Sequence, residues 1–205
     1  MKDLSCGLFV VIEGLDRSGK STLVKSLYED LKKKYPVFTL SFPDRKTPIG
    51  AILDKYHKGV VELNPEVQHL LFSADRYEKK ELIEELRKNT IIICDRYLWS
   101  GIIATVVKGV DLGWCIETER LLPKADLTLY LDADVDLISK RRGFGDEILE
   151  TKEIQSKMRD IYYQMKDHNE NLVILDASKS VKEITKEAVE EIERCFQSRS
   201  LEKLV

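Results

Sequence analysis

A glycine-bracketed run with a lysine and hydroxyls at fixed spacing can cradle a polyphosphate, and this chain carries one at Gly14-Leu15-Asp16-Arg17-Ser18-Gly19-Lys20-Ser21-Thr22. The run fits the phosphate-loop pattern GxxxxGK[ST], directly after the apolar stretch Leu8–Ile12. Glycines let consecutive backbone N–H groups turn toward anionic oxygens, and the helix that opens at Lys20 adds its positive end. Lys20 can reach the outer phosphates, and the Ser21 hydroxyl offers a hard oxygen to Mg²⁺. A carboxylate for the same ion stands at Asp95, closing the apolar run Ile91-Ile92-Ile93-Cys94. Arg96 follows at once, and Arg45 comes after Phe42-Pro43-Asp44, just past another apolar run. Two guanidinium forks past strand ends could hold a second, acceptor phosphate.

A second chemistry emerges from helix phase. Asn64 reads as an N-cap with Pro65 at the first helical position. Val67, Leu70, Leu71, Ala74 and Tyr77 then make an apolar stripe, expected to face the core. Phe72 falls about 140° from Val67 and Arg76 about 180° away, at roughly 100° per residue. An aromatic with an arginine one turn on could stack a nucleobase and bond its edge. The same Phe could instead pack beneath a neighbouring helix. Further along, Lys140-Arg141-Arg142-Gly143-Phe144-Gly145-Asp146-Glu147 suits either a lid that closes over phosphates or a plain helix C-terminus with a glycine cap. The loop Asp176-Ala177-Ser178-Lys179-Ser180 could border the base of the donor nucleotide.

The elements that must position these residues alternate regularly. Apolar runs at Leu8–Ile12, Val37–Leu40, Ile91–Cys94, Leu127–Leu131 and Leu172–Leu175 read as strands buried on both faces of a parallel sheet. Amphipathic stretches at about 20–34, 64–88, 97–121, 151–168 and 180–197 read as helices. The last begins with a capping box, Ser180 with Glu183. The expectation is an α/β fold of the phosphate-loop NTPase type, in three layers, with a five-stranded parallel sheet flanked by helices. With 205 residues and no linker, one domain over 1–205 is expected, carrying a mobile lid at about 140–150.

Composition narrows the classes. The 33 basic and 36 acidic residues leave a formal charge of −3, which argues against a nucleic-acid partner. No apolar run approaches the roughly 18 residues of a membrane span, and no signal peptide is read at Met1–Cys6. Cys6, Cys94, Cys115 and Cys195 lie far apart, which fits reduced thiols in a cytoplasmic or nuclear protein. Neither the Asn-Lys-x-Asp element of GTPase switches nor the Ser-Gly-Gly run of transporter ATPases occurs. A small-molecule kinase fits best, with a nucleotide-dependent switch as the rival.

These motifs together resemble the thymidylate kinase family, in its eukaryotic and poxviral form. The resemblance runs from Glu13–Thr22 through Phe42–Arg45, Leu70–Glu78, Asp95-Arg96-Tyr97 with Ser100-Gly101, and Leu122–Leu127 to Asp176–Ser180. It implies ATP-dependent, Mg²⁺-assisted phosphorylation of dTMP by a homodimer. By resemblance Gly14–Thr22, Arg141, Ser178 and Lys179 would bind ATP, and Ser21 and Asp95 the metal. Asp16, Phe42, Arg45, Phe72, Arg76, Arg96, Ser100, Gly101 and Gln155 would bind dTMP, with Phe72 on the base and Arg45 and Arg96 on its phosphate. Arg17 stands where this branch carries its catalytic arginine; Asp16, Lys20, Asp95 and Arg96 complete the implied catalytic set. Leu149 replaces a lid tyrosine, Asp75 replaces a neutral residue and is expected to meet a cation, and Arg142 adds a second lid arginine.

Overall fold

The five apolar runs fold as five parallel strands in the order β2-β3-β1-β4-β5, seen in a computed structural model that describes residues 7–164, 166, 169 and 171–202. They are β1 (Leu8–Gly14), β2 (Val37–Ser41), β3 (Ile91–Asp95), β4 (Leu127–Asp132) and β5 (Leu172–Asp176). Each runs one or two residues past its apolar stretch, so the ends carry Gly14, Ser41, Asp95, Asp132 and Asp176 at one rim. In open α/β sheets the carboxyl ends of the strands are where ligands gather.

Alternation along β1 divides the core between the sheet's faces. Leu8, Val10 and Ile12 pack with Leu23, Leu27 and Ile103, while Phe9 and Val11 pack with Ile83, Ile92 and Cys94. Every residue of β1 is buried, as a central parallel strand requires. The outer strands depart from the expectation of two buried faces: β2 and β5 are mostly half-buried or exposed, with Leu175 of β5 buried, because each has a neighbour on one side only.

Helices α1 (Lys20–Leu31), α8 (Lys152–Gln164) and α9 (Val181–Glu202) meet expectation, α9 with its Ser180–Glu183 capping box formed in both directions. Residues 165, 167 and 168 of the helix expected over 151–168 lie outside the described residues, as does Cys6. Two long expected helices are each broken. The first becomes α3 (Pro65–Tyr77) and α4 (Lys80–Leu86), the second α5 (Leu98–Val106) and α6 (Leu112–Thr118), with Gly109 at positive φ in the second break. Two helices were not foreseen, α2 (Pro48–His57) and the single turn α7 (Val135–Ile138). Thr47 caps α2 by accepting from Gly50 N at 3.0 Å, with Pro48 at its first position.

The face of α3 follows the sequence expectation only in part: Leu71 and Tyr77 pack against the core, but the inner face is largely polar. Val67 and Leu70 of the apolar stripe are 45% and 49% exposed, while Gln68, His69, Phe72, Ser73, Asp75 and Arg76 are buried. Polar side chains occupy the inner face because that face is hydrogen-bonded to α5, α6 and the loop after β2, as described next.

Candidate active site

The strand rim and its loops enclose a cleft of about 880 Å³ lined from one end by Lys20, Ser21 and Asp95 and from the other by Phe72, Arg76 and Arg45. A smaller cavity of about 220 Å³, lined by Ser18, Leu23, Lys179 and Ile184, joins it where Gly19, Thr22 and Arg141 line both. Lys179 stands at this cavity with its ammonium 2.7 Å from Glu187; Ser178 is not among the lining residues, and its N–H turns back to Asp176.

The loop after β1 holds its shape by backbone conformation. Gly14 and Gly19 have φ of 149° and 111°, and Arg17 adopts φ of 60°, unusual for a residue with a Cβ. Leu15 is fully buried as an anchor. Lys20 turns inward to donate to the Leu15 carbonyl. Burial, and then Arg96, brings the Lys20 ammonium down to about 8. Ser21 Oγ donates to Asp95 Oδ2 at 2.6 Å, so the two oxygens expected to share a metal are already adjacent. Among the described residues no group of three or more His, Cys, Asp or Glu could hold a metal. One hydroxyl and one carboxylate beside a phosphate cradle fit Mg²⁺, which takes few protein oxygens and completes its shell with phosphates and water.

At the centre, Arg96 (φ 68°) donates to Asp16 Oδ1, to the Gly14 carbonyl at 3.0 Å and to Ser100 Oγ at 3.1 Å. Against the opposing effect of burial, Arg96 and Lys20 hold the Asp16 carboxyl below its usual range. Gln155 does not line the cleft. It is fully buried behind Asp16, accepting from its N–H at 3.0 Å and donating to Oδ2 at 2.9 Å.

At the far end Phe72 is 6% exposed and borders the cleft beside Phe42, Ser100 and Gly101. Arg76 is clamped by Glu119 of the α6 C-terminus, Nε to Oε2 at 2.9 Å and Nη2 to Oε1, leaving Nη1 without a hydrogen bond among the described residues. Gly101 permits this placement, since a Cβ there would stand 2.6 Å from Nη1. Arg45 is half-exposed and not free: Nη1 lies 2.9 Å from Asp54 and Nη2 2.8 Å from Glu147. His57 Nδ1 approaches the other Glu147 oxygen at 3.3 Å, off the line of a good hydrogen bond. His57, and then Arg45 against burial, draw the Glu147 carboxyl down to about 2.

The segment 141–150 borders the cleft and is held by a carboxylate that the sequence did not single out. Glu150, 4% exposed, accepts from Arg17 Nε at 2.8 Å and from the N–H groups of Gly145 and Asp146 at 3.0 and 3.1 Å. Arg17 Nη2 donates to the Gly143 carbonyl at 2.6 Å, and Arg141 returns a bond to the Arg17 carbonyl. Arg142 lines the cleft as well, and so does Leu149. Glu13 is the other unforeseen group. Fully buried in β1, it accepts from Tyr97 N, Ser100 N and Tyr162 OH at 3.0 to 3.2 Å, which fixes the start of α5 to the central strand. A run of acceptor bonds cannot be read from a lone Glu in a strand.

Comparison with known proteins agrees with this geometry. A sequence profile of the thymidylate kinase family matches residues 12–188. The thymidylate kinase of Dictyostelium discoideum is 41% identical over 184 residues, covering 88% of this chain and 82% of the relative. That of Homo sapiens is 37% identical, covering 87% and 86%. The solved structure of the Candida albicans thymidylate kinase superposes with a TM-score of 0.84 at 35% identity, over 92% of both chains. Profile, relatives and fold span nearly the whole chain, and the chain belongs to the thymidylate kinase family.

Proposed function

We propose that this chain transfers the γ-phosphoryl group of ATP to dTMP, giving dTDP and ADP on the way to dTTP. The observation that carries the reading is one cleft with a phosphate loop at one end and the Phe72–Arg76 pair at the other. The two ends are bridged by Asp16 and Arg96.

In this reading the backbone of Gly14–Thr22 cradles the ATP phosphates, and the base enters the smaller cavity beside Arg141 and Lys179. Phe72 stacks on thymine, and the open Nη1 of Arg76 bonds its edge. Phe42, Ser100 and Gly101 shape the wall around the sugar, and Gln155 holds Asp16 toward it. Arg45 and Arg96 grip the acceptor phosphate, Arg45 exchanging a carboxylate partner for it. A phosphate monoester has its second pKa near 6 and is mostly dianionic at neutral pH, so its oxygen attacks the γ-phosphorus without a general base. The bond from that phosphorus to the β-bridging oxygen breaks and ADP leaves. Arg17 and Lys20 neutralise the charge on the transferring group. Ser21 and Asp95 would hold Mg²⁺, whose charge draws off electron density from the phosphates.

We assign residues 1–205 to one nucleoside monophosphate kinase domain with 140–150 as its lid. We infer a homodimer through the outward stripe of α3, because Val67 and Leu70 there are nearly half exposed. A cytoplasmic or nuclear location is supported by the free buried thiols Cys94 and Cys115. The test uses purified chain with γ-labelled ATP, Mg²⁺ and dTMP. Label in dTDP supports the reading; label released only as inorganic phosphate contradicts it.

A further inference from the structure

Asp75 is fully buried in the last turn of α3, and no cation pairs with it among the described residues. The expected cation is not there; Lys79, one turn on, pairs with Asp44 instead, at 3.0 Å. Asp75 is spent on backbone: Oδ2 accepts from Asp44 N at 3.0 Å, and Oδ1 stands 3.4 Å from Thr47 Oγ1. Those two residues bracket Arg45. Thr47 also reaches the Asp44 carbonyl at 3.2 Å while capping α2. Helix α2 presses on the same turn, since a Cβ at Gly50 would lie 1.9 Å from the Asp44 carbonyl oxygen. A buried carboxylate without a cation is costly unless hydrogen bonds compensate it. Here the compensation comes from the turn that aims the Arg45 guanidinium at the cleft.

We propose that Asp75 is a positioning residue for acceptor binding, acting through the 44–47 turn on Arg45. The proposal rests on the reading above that Arg45 grips the acceptor phosphate. Asp75 touches no substrate; it fixes the base of a long side chain whose head, half-exposed, is held among the described residues by Asp54 and Glu147. Its neighbour Arg76 serves the same ligand from the same turn of helix. Consecutive residues of α3 thus set the phosphate end and the base end of one site.

A double-mutant cycle tests this, with kcat, KM for dTMP and KM for ATP measured for each variant. Asp75→Ala is expected to raise the dTMP KM about tenfold, the size of a lost charge-assisted hydrogen bond. The kcat at saturating dTMP and the ATP KM should stay within twofold. Asp75→Asn keeps an acceptor oxygen for Asp44 N and should restore the wild-type KM. In an Arg45→Ala background Asp75→Ala should add nothing, because its effect passes through Arg45. Should Asp75→Ala not fold, Asp75→Ser is too short to reach the Asp44 amide and gives the same reading. Independent effects of Asp75 and Arg45, or a fall in kcat together with a rise in both KM values, overturn the proposal. An Arg45→Ala variant with unchanged dTMP KM would instead overturn the reading of Arg45 itself.

Discussion

Arg17 of the phosphate loop donates from Nε to Glu150 Oε1 at 2.8 Å, joining the loop to the lid across 133 residues of sequence. The same carboxylate accepts from the N–H groups of Gly145 and Asp146, so Glu150 ties the Arg17 guanidinium to the 143–150 segment. The ion pair turns the Arg17 Nη groups toward backbone carbonyls of the same segment, Nη2 to Gly143 at 2.6 Å and Nη1 to Arg142 at 3.4 Å.

Arg17→Ala should therefore lower kcat far more than it weakens dTMP. Arginines that neutralise a phosphoryl transition state are worth about 10³ to 10⁵ in rate. Steady-state kinetics should show a fall in kcat of at least a hundredfold with dTMP KM within a fewfold. Equal turnover in the variant would remove Arg17 from catalysis.

Phe72→Ala should act in the opposite sense. Losing a stacking partner costs about 1–3 kcal/mol per base, or about 5- to 150-fold in affinity. Calorimetric titration should show weaker dTMP binding, with the affinity for an ATP analogue unchanged. Unaltered dTMP affinity would return Phe72 to the role of a packing residue.

Lys20 predicts a pH signature for the donor. Its pKa of about 8 in the free protein means the ammonium is charged below that pH and lost above it. Polyphosphate favours the charged form, so bound Lys20 titrates higher than free Lys20, and binding above pH 8 takes up a proton. Affinity for an ATP analogue should be flat from pH 7 to 8 and fall by up to tenfold per unit beyond. Calorimetry at pH 8.5 in buffers of different ionisation enthalpy should show that uptake, and Lys20→Met should abolish it. No buffer dependence would mean that Lys20 does not meet the phosphates.

Glu119 holds Arg76 with both side chains 2–3% exposed. Glu119→Ala leaves a buried guanidinium without its partner, a loss of about 3–5 kcal/mol. Urea unfolding should show a loss of unfolding free energy of that size, accompanied by weaker dTMP binding. A stability change under 1 kcal/mol would mean that Arg76 finds another partner.

Much of the scaffold was legible because consecutive apolar residues between helical patterns have few alternatives to a parallel sheet. Ile91–Cys94 could hardly be anything else, and Asp95 followed at its end. The phosphate loop was legible because its glycines do conformational work that other residues do badly. Helix α3 misled for a physical reason. Val67 and Leu70 look like a core stripe, yet the inner face is built of Gln68, His69, Asp75 and Arg76, whose burial rests on partners far along the chain. Arg76 needs Glu119, 43 residues away, and Arg17 needs Glu150. Such pairings have no local signature, so the sequence assigns Glu13, Glu119, Glu147 and Glu150 no partner. Helix α2 escaped notice because ten residues with Gly50 inside and a proline at the start do not announce themselves by period.

The most direct test of the central claim sets purified chain, ATP and Mg²⁺ against a panel of nucleoside monophosphates. ADP formation should depend on dTMP, with kcat/KM for dTMP above those for dCMP, dAMP and dGMP by at least a hundredfold. Nucleotide turnover that is indifferent to the monophosphate offered, or that favours a purine acceptor, would contradict a cleft built by Phe72 and Arg76 for thymine.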